Sequence, residues 1–179
     1  MSSIQSCGEF LDYDESNVCT EYTGGNDAMI LVKQGVTIND TTSESDVQAA
    51  IHAGNAKLIS GIKVSIDAPE PVRVDNSRAC SPQAVLTYNR TAQIIDGKAN
   101  ATNIDFWNAV DASQGAVWGM AIVHSCAHAE QLIISGNILV LGGLINPLSD
   151  EESQQIERSL EWKSKSDPQK ETENPIFNA

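Results

Sequence analysis

Hydrophobic and polar positions change rhythm several times along this chain, and each rhythm predicts an element. AMILVKQGVTI (Ala28–Ile38) is apolar over consecutive residues and predicts a first core strand. LISGIKVSIDAPEPVRV (Leu58–Val74) alternates instead, with Ile62, Val64 and Ile66 on one side and Lys63, Ser65 and Asp67 on the other. That period of two predicts a half-buried strand, stopped by Pro69 and Pro71. AVLTYNRTAQII (Ala84–Ile95) reads as another strand, closed by the turn residues Asp96-Gly97. The β-branched runs AVWGMAIVH (Ala116–His124) and EQLIISGNILVLGGLINP (Glu130–Pro147) add further strands, with a turn or bulge expected at Ser135-Gly136-Asn137 and Gly142-Gly143.

Two short helices fit between these strands. Val47–Ile51 forms the body of the first, with Ser43 or Ser45 as N-cap and Gly54 as stop. The second lies in NATNIDFWNAV, where Thr102 or Asn103 is the expected cap and Phe106, Trp107 and Val110 face the core. The segment Ser149–Lys165 is in conflict with itself. Ser149-x-x-Glu152 has the form of a capping box, and Ile156 and Leu160 stand four residues apart, which favours a helix. Ile156, Leu160 and Trp162 also share one strand face, with Glu157, Ser159, Glu161 and Lys163 opposite.

The ends are polar. Residues 1–27 form an acidic N-terminal arm with a short strand expected in GEFLDY, either solvated or ordered against a neighbouring subunit. Residues 28–168 make the β-rich domain, and residues 169–179 form a polar tail with Ile176-Phe177 as a small anchor. The fold class expected is mainly β: a sandwich or barrel with one or two flanking helices and extended arms.

At 179 residues, the chain is long enough to bury one real core. Twenty-four acidic residues against 11 basic ones give a net charge of −13, which argues against a tight grip on nucleic acid. No run approaches the roughly 18 apolar residues of a membrane span, and the first residues lack the features of a secretory leader. The sequons at Asn39, Asn89 and Asn100 are therefore read as incidental. Cys7, Cys19, Cys80 and Cys126 show no CxxC pair and are expected to be reduced, partly buried small hydrophobes.

His124, Cys126 and His128 supply the ligand types that suit zinc. On a strand, however, His124 and His128 stand roughly 13 Å apart at about 3.3 Å per residue, too far for one ion. Core or turn histidines are the expectation, with a small metal-binding module as the competing reading. His128-Ala-Glu130 matches half of a zinc deaminase signature, but no cysteine follows Cys126 to complete it. Asp12-Tyr-Asp14-Glu-Ser16 opens like a calcium loop, yet Asn17 and Thr23 stand where that loop needs Gly and Glu. No phosphate loop or nucleophile elbow is present. No catalytic, cofactor-binding or metal residue is assigned, and the chain is not expected to be an enzyme.

The order of features carries a resemblance: an apolar strand, a Pro-bounded alternating strand, CSPQAVLTYNRTAQ, the aromatic helix of NATNIDFWNAV, a β-rich second half, and a closing IERSLEWKSKSDP. Over roughly residues 28–168 this is similar to bacteriophage tail-tube and tail-ring proteins, with the flavour of crAss-like phage virion proteins. The resemblance favours a strand for Ile156–Lys163. It implies a non-enzymatic virion subunit forming a homo-oligomeric ring in the phage tail, with an acidic conduit through which DNA passes without specific binding. Its other partners would be portal or further tail proteins, with no membrane. A capsid decoration or head-completion protein is the neighbouring alternative.

Overall fold

The computed structural model describes residues 10–13, 26–73, 85–98, 100–125, 130–146 and 155–171. Eight strands and two helices follow in the order β1 (Asn26–Lys33), α1 (Glu44–His52), β2 (Ala56–Ile66), β3 (Glu70–Arg73), β4 (Val85–Asp96), α2 (Ala101–Val110), β5 (Trp118–Ser125), β6 (Glu130–Asn146), β7 (Gln155–Ser164) and β8 (Gln169–Glu171). A 3-10 turn, Ala112–Gln114, follows α2. The mainly β fold expected from the sequence is present.

The sheet closes on itself. β1 pairs with β2 and β5, β2 with β4, β4 with β7, β7 with β6, and β6 with β5, every ladder antiparallel. Starting from β1, the circuit β1-β2-β4-β7-β6-β5 returns to β1 and forms a barrel. Closure removes the open edges that long apolar strands such as β1 and β5 would otherwise expose. Two short strands lie off the circuit. β3 pairs with the start of β4, and β8 pairs with Gln131–Ile133 of β6.

The barrel has two cores. Its interior holds Met29, Leu31, Ile59, Ile94, Trp118, Ile134, Ile156, Leu160 and Trp162, joined by Phe106, Trp107 and Val110 from α2. Outside the wall made by β1, β5 and the first half of β2, a second cluster joins Ile30, Val32, Leu58, Ile122 and Ile133 to Val47 of α1 and to Ile38. β1 is thus covered on both faces, and Ala28 through Val32 are all buried. β2 records both situations. Ala56–Ser60 is nearly continuously buried, whereas Ile62 and Val64 alternate with the exposed Lys63 and Ser65.

Several expectations are refined by this packing. The first strand ends at Lys33, not Ile38, because Gly35 turns the chain with φ of 81°. Beyond that turn Ile38 still packs, on the outer core. α2 is capped by Asn100 rather than by Thr102 or Asn103; its side chain accepts the Asn103 amide at 2.9 Å. Asn103 is buried inside the helix and its side chain donates to the Lys98 carbonyl at 2.9 Å. The prolines do not end the sheet. Strand pairing stops at Ile66 and resumes in β3, where Pro71 sits on an edge strand that needs no donor from it.

β6 is one strand of 17 residues, and its glycine sites are bulges rather than turns. Trp118 and Met120 pair with Ile138 and Ser135, so Gly136 and Asn137 together oppose the single residue Gly119. A second register shift separates Gly142 from Ile145. The bent strand pairs with β5 through its first half and with β7 through its second. Ile156–Lys163 lies in β7, with Ile156, Leu160 and Trp162 inward and Glu157, Glu161 and Lys163 exposed. Ser149 and Glu152, which suggested a helix, lie outside the described residues.

Candidate functional site

Of the three residues flagged for metal chemistry, His124 alone lies among the described residues. His124 is buried on the outer side of β5, in register with Gln131, whose side chain donates to the Thr41 carbonyl at 3.2 Å. Cys126 and His128 lie outside the described residues, as do Cys7, Cys19 and Cys80. Among the described residues no group of three or more His, Cys, Asp or Glu side chains is placed to hold a metal ion. Glu130, the acid of the His-x-Glu match, begins β6 and pairs with Lys170 at 2.8 Å. Of the calcium-like run, Asp12 is exposed, Tyr13 is buried in the barrel core, and Asp14–Ser16 fall outside the described residues.

Tyr13 leads to the most elaborate polar arrangement, at the end of β4. Asp96 is fully buried, and its Oδ2 accepts the Tyr13 hydroxyl at 2.8 Å and the Trp107 indole N–H at 2.9 Å. Its Oδ1 accepts the Lys98 amide at 2.9 Å, and the Tyr13 hydroxyl lies 3.1 Å from the Ser60 carbonyl. A buried carboxylate is tolerated when donors surround it, and three do so here. The rings around it are packed just as closely. Phe10 stacks on Trp118 at 4.6 Å, Tyr13 meets Phe106 edge-on at 5.1 Å, and Phe106 meets Trp107 at 5.3 Å. Residues 10–13 therefore dock on the barrel of their own chain as a strap across α2.

A second buried polar group lies on β7. Arg158 shares the inward face with Ile156 and Leu160, is 3% exposed, and donates to Asn108 Oδ1 at 3.0 Å and to the Glu157 carbonyl at 3.0 Å. Burial pulls the guanidinium below its ordinary pKa, and the Asp111 carboxylate partly restores it. Asp111 leans on β6 at Gly142, where a Cβ would stand 2.8 Å from its carboxylate oxygen. Gly142 thus makes room for the counter-charge. Arg90 is buried likewise. It donates to Asp167 at 2.8 Å and to the Ser164 carbonyl at 3.2 Å, fastening the turn that leads from β7 to β8.

These groups fill the barrel, so its lumen is packed and is not a channel. What remains available for partners is the outside. A groove of about 660 Å³ runs over the outer face of β4, β7 and β6, lined by Asn89, Thr91, Glu161, Lys163, Asn137 and Leu139 among others. Beside it, the β3–β4 pair extends past the barrel. Among the described residues, β4 is matched to β7 only from Tyr88 onward, and Val85–Thr87 are flanked by β3 alone. Within that extension Val72 and Arg73 pair with Thr87 and Val85, leaving Leu86 as the bulged residue. Leu86 is 53% exposed; among the described residues, Leu11 is the other large hydrophobic side chain left open.

Sequence reasoning missed Asp96, Arg158 and Arg90 as buried groups. Arg158 was readable: it stands two residues from both Ile156 and Leu160, on their face of the strand. Asp96 carried no such signal, because its Asp-Gly context matches a solvent-exposed turn. No helix among the described residues is long and apolar enough to cross a membrane. No protein-family model, curated protein or solved structure matches the chain.

Proposed function

We propose that this chain is a non-catalytic structural subunit that associates with copies of itself, of the kind found in bacteriophage tail tubes and tail rings. The observation that carries the reading is Leu86, a large apolar side chain turned outward by a bulge on a strand pair that projects beyond a closed barrel. A two-stranded projection is marginal on its own and gains stability when a neighbour covers it. Bulges re-aim side chains, and an exposed leucine at such a position favours contact with another subunit.

The mode of association differs from simple strand addition. The long apolar strands are already paired on both sides within the barrel. Among the described residues β3 pairs with β4 alone and carries Glu70, Pro71 and Arg73, and β8 is three residues long with Lys170 at its centre. Charge, proline and shortness all oppose edge-to-edge pairing. Subunits would therefore meet through side-chain faces, with the Leu86 projection of one lying on the polar groove side of the next. In such a ring the conduit is the hole between subunits, since the barrel itself is packed. With a net charge of −13, that hole would repel a polyanion and let DNA pass without sticking. Portal or other tail proteins would be the neighbours above and below, and the phage virion the place of work.

Light scattering on the purified chain, with negative-stain images of the same fractions, tests the reading. Closed rings or short tubes are expected, and Leu86→Asp should lower the particle mass while leaving the unfolding transition within about 0.5 kcal/mol of the parent. A chain that stays monomeric at high concentration would overturn the proposal.

A further inference from the structure

The groove over β4, β7 and β6 is built from two in-register rows of side chains. In the first, Glu70 stands opposite Asn89, and Asn89 opposite Lys163. In the second, Thr91 stands opposite Glu161, and Glu161 opposite Leu139. All six line the groove. Neighbouring strands lie about 4.8 Å apart and successive outward residues about 6.8 Å, so the rows form a grid of polar groups rather than one cluster. Glu70, Asn89, Glu161 and Lys163 are exposed, whereas Leu139 and Val117 are half-buried and add a short aliphatic strip.

Each property of this grid narrows what it can hold. Two carboxylates face one ammonium, because Arg90 is committed to Asp167 at 2.8 Å, so the groove has no surplus of cations for phosphate or nucleic acid. Two aliphatic side chains are too few to hold an apolar ligand. A peptide would add to a free strand edge, and the backbone under the grid is paired on both sides. Asn89 is matched to β3 and β7, Glu161 to β4 and β6, and Thr91 to β7 and, through its carbonyl, to the Asp67 amide at 3.0 Å. What the grid offers is carboxylate, amide, hydroxyl and ammonium groups at regular spacing, the complement of a ligand whose hydroxyls each donate and accept. Two of its groups are oriented in advance. The Thr91 hydroxyl donates to Asp67 Oδ2 at 3.0 Å, and Asn137 Oδ1 accepts the Gln34 side chain at 2.9 Å. A volume of about 660 Å³ lies within the range of small-ligand sites. We infer that the groove binds a neutral oligosaccharide. Asn89, Thr91, Glu161 and Lys163 hold its hydroxyls, and Leu139 and Val117 meet the aliphatic face of a sugar ring. The site stands independently of the assembly reading, although a subunit lying on this face would compete for it.

Saturation-transfer difference NMR tests the site, because it reads the ligand and works at any particle mass. The full-length Leu86→Asp chain is used, since that substitution lies outside the groove and frees the face from a neighbour. Maltotriose, cellotriose and chitotriose are each added to about 10 mM, with a heparin-derived tetrasaccharide as the anionic counterpart. At least one neutral sugar should take up saturation. Glu161→Ala and Asn89→Ala, each made on the same background, should weaken that binding at least roughly tenfold while the far-UV circular dichroism stays unchanged. No transfer to any of the three neutral sugars would overturn the site, as would stronger transfer to the heparin fragment. Undiminished binding by both alanine variants would overturn its placement in this groove.

Discussion

The two walls of this barrel are built to different rules. On one wall β1, β5 and the start of β2 are packed on both faces, inward against the aromatic core and outward against α1 and Ile38. On the other wall β4, β7 and the end of β2 are packed only inward, and their outer faces carry Lys63, Ser65, Gln93, Glu157 and Glu161 in contact with solvent. The strands pair in the same antiparallel way in both. What differs is the number of layers, and the hydrophobic pattern of each strand follows it: continuous where two layers meet, alternating where there is one.

The largest test of this picture lies in the shared interior. Trp107→Ala removes a fully buried ring and one of the donors to Asp96, and it should cost roughly 3–5 kcal/mol in urea unfolding. Retention of full stability would mean that α2 does not fill the barrel. The walls themselves are compared by Ile30→Ala, which faces outward on the doubly covered wall, and Ile94→Ala, which faces inward on the other. Both residues are buried, so both substitutions should cost about 2–4 kcal/mol. A loss below about 0.5 kcal/mol for Ile30→Ala would show that α1 leaves the outer face loose.

A smaller effect is expected where the strap meets the barrel. Tyr13→Phe keeps the ring and removes the hydroxyl donated to Asp96, for a loss of about 1–2 kcal/mol. On the singly covered wall, Ser65→Ala should change stability by less than about 0.5 kcal/mol, and a larger loss would argue that this face is covered even in the isolated subunit.

The smallest test is a titration. The Thr42 hydroxyl, at 2.6 Å, and the Thr42 amide hold the Asp40 carboxyl below its ordinary pKa. Because the folded value is the depressed one, the associated stabilisation is present at neutral pH and fades as the pH falls through that value. Thr42→Val should move the Asp40 titration, followed by carboxyl NMR shifts, back toward the ordinary range. An unmoved titration would exclude the hydroxyl as the cause.

Much of the fold was legible one element at a time. The alternation of Ile62 and Val64 with Lys63 and Ser65 gave the correct faces of β2. Phe106, Trp107 and Val110 were correctly expected in the core. The caps were less legible: Asn100, Thr102 and Asn103 are all plausible cap residues, and only the packing of Asn103 against Lys98 settles which of them lies outside the helix. β7 shows the limit most clearly, because local signals for helix and strand coexist there, and long-range pairing with β4 and β6 decides between them.

The amino-acid sequence by itself determined where apolar residues fall and hence, outside β7, which of the long segments become strands and which faces they bury, and that the chain is strongly acidic. These are local properties, set by side-chain chemistry and by the periods of two and 3.6 residues. Only the tertiary structure decided that the sheet closes, that the strap returns to its own barrel, and that Asp96 and Arg90 are buried. Each of these depends on partners far apart in the chain. Asp96 meets Tyr13 across 83 positions and Arg90 meets Asp167 across 77, distances over which no local pattern carries information.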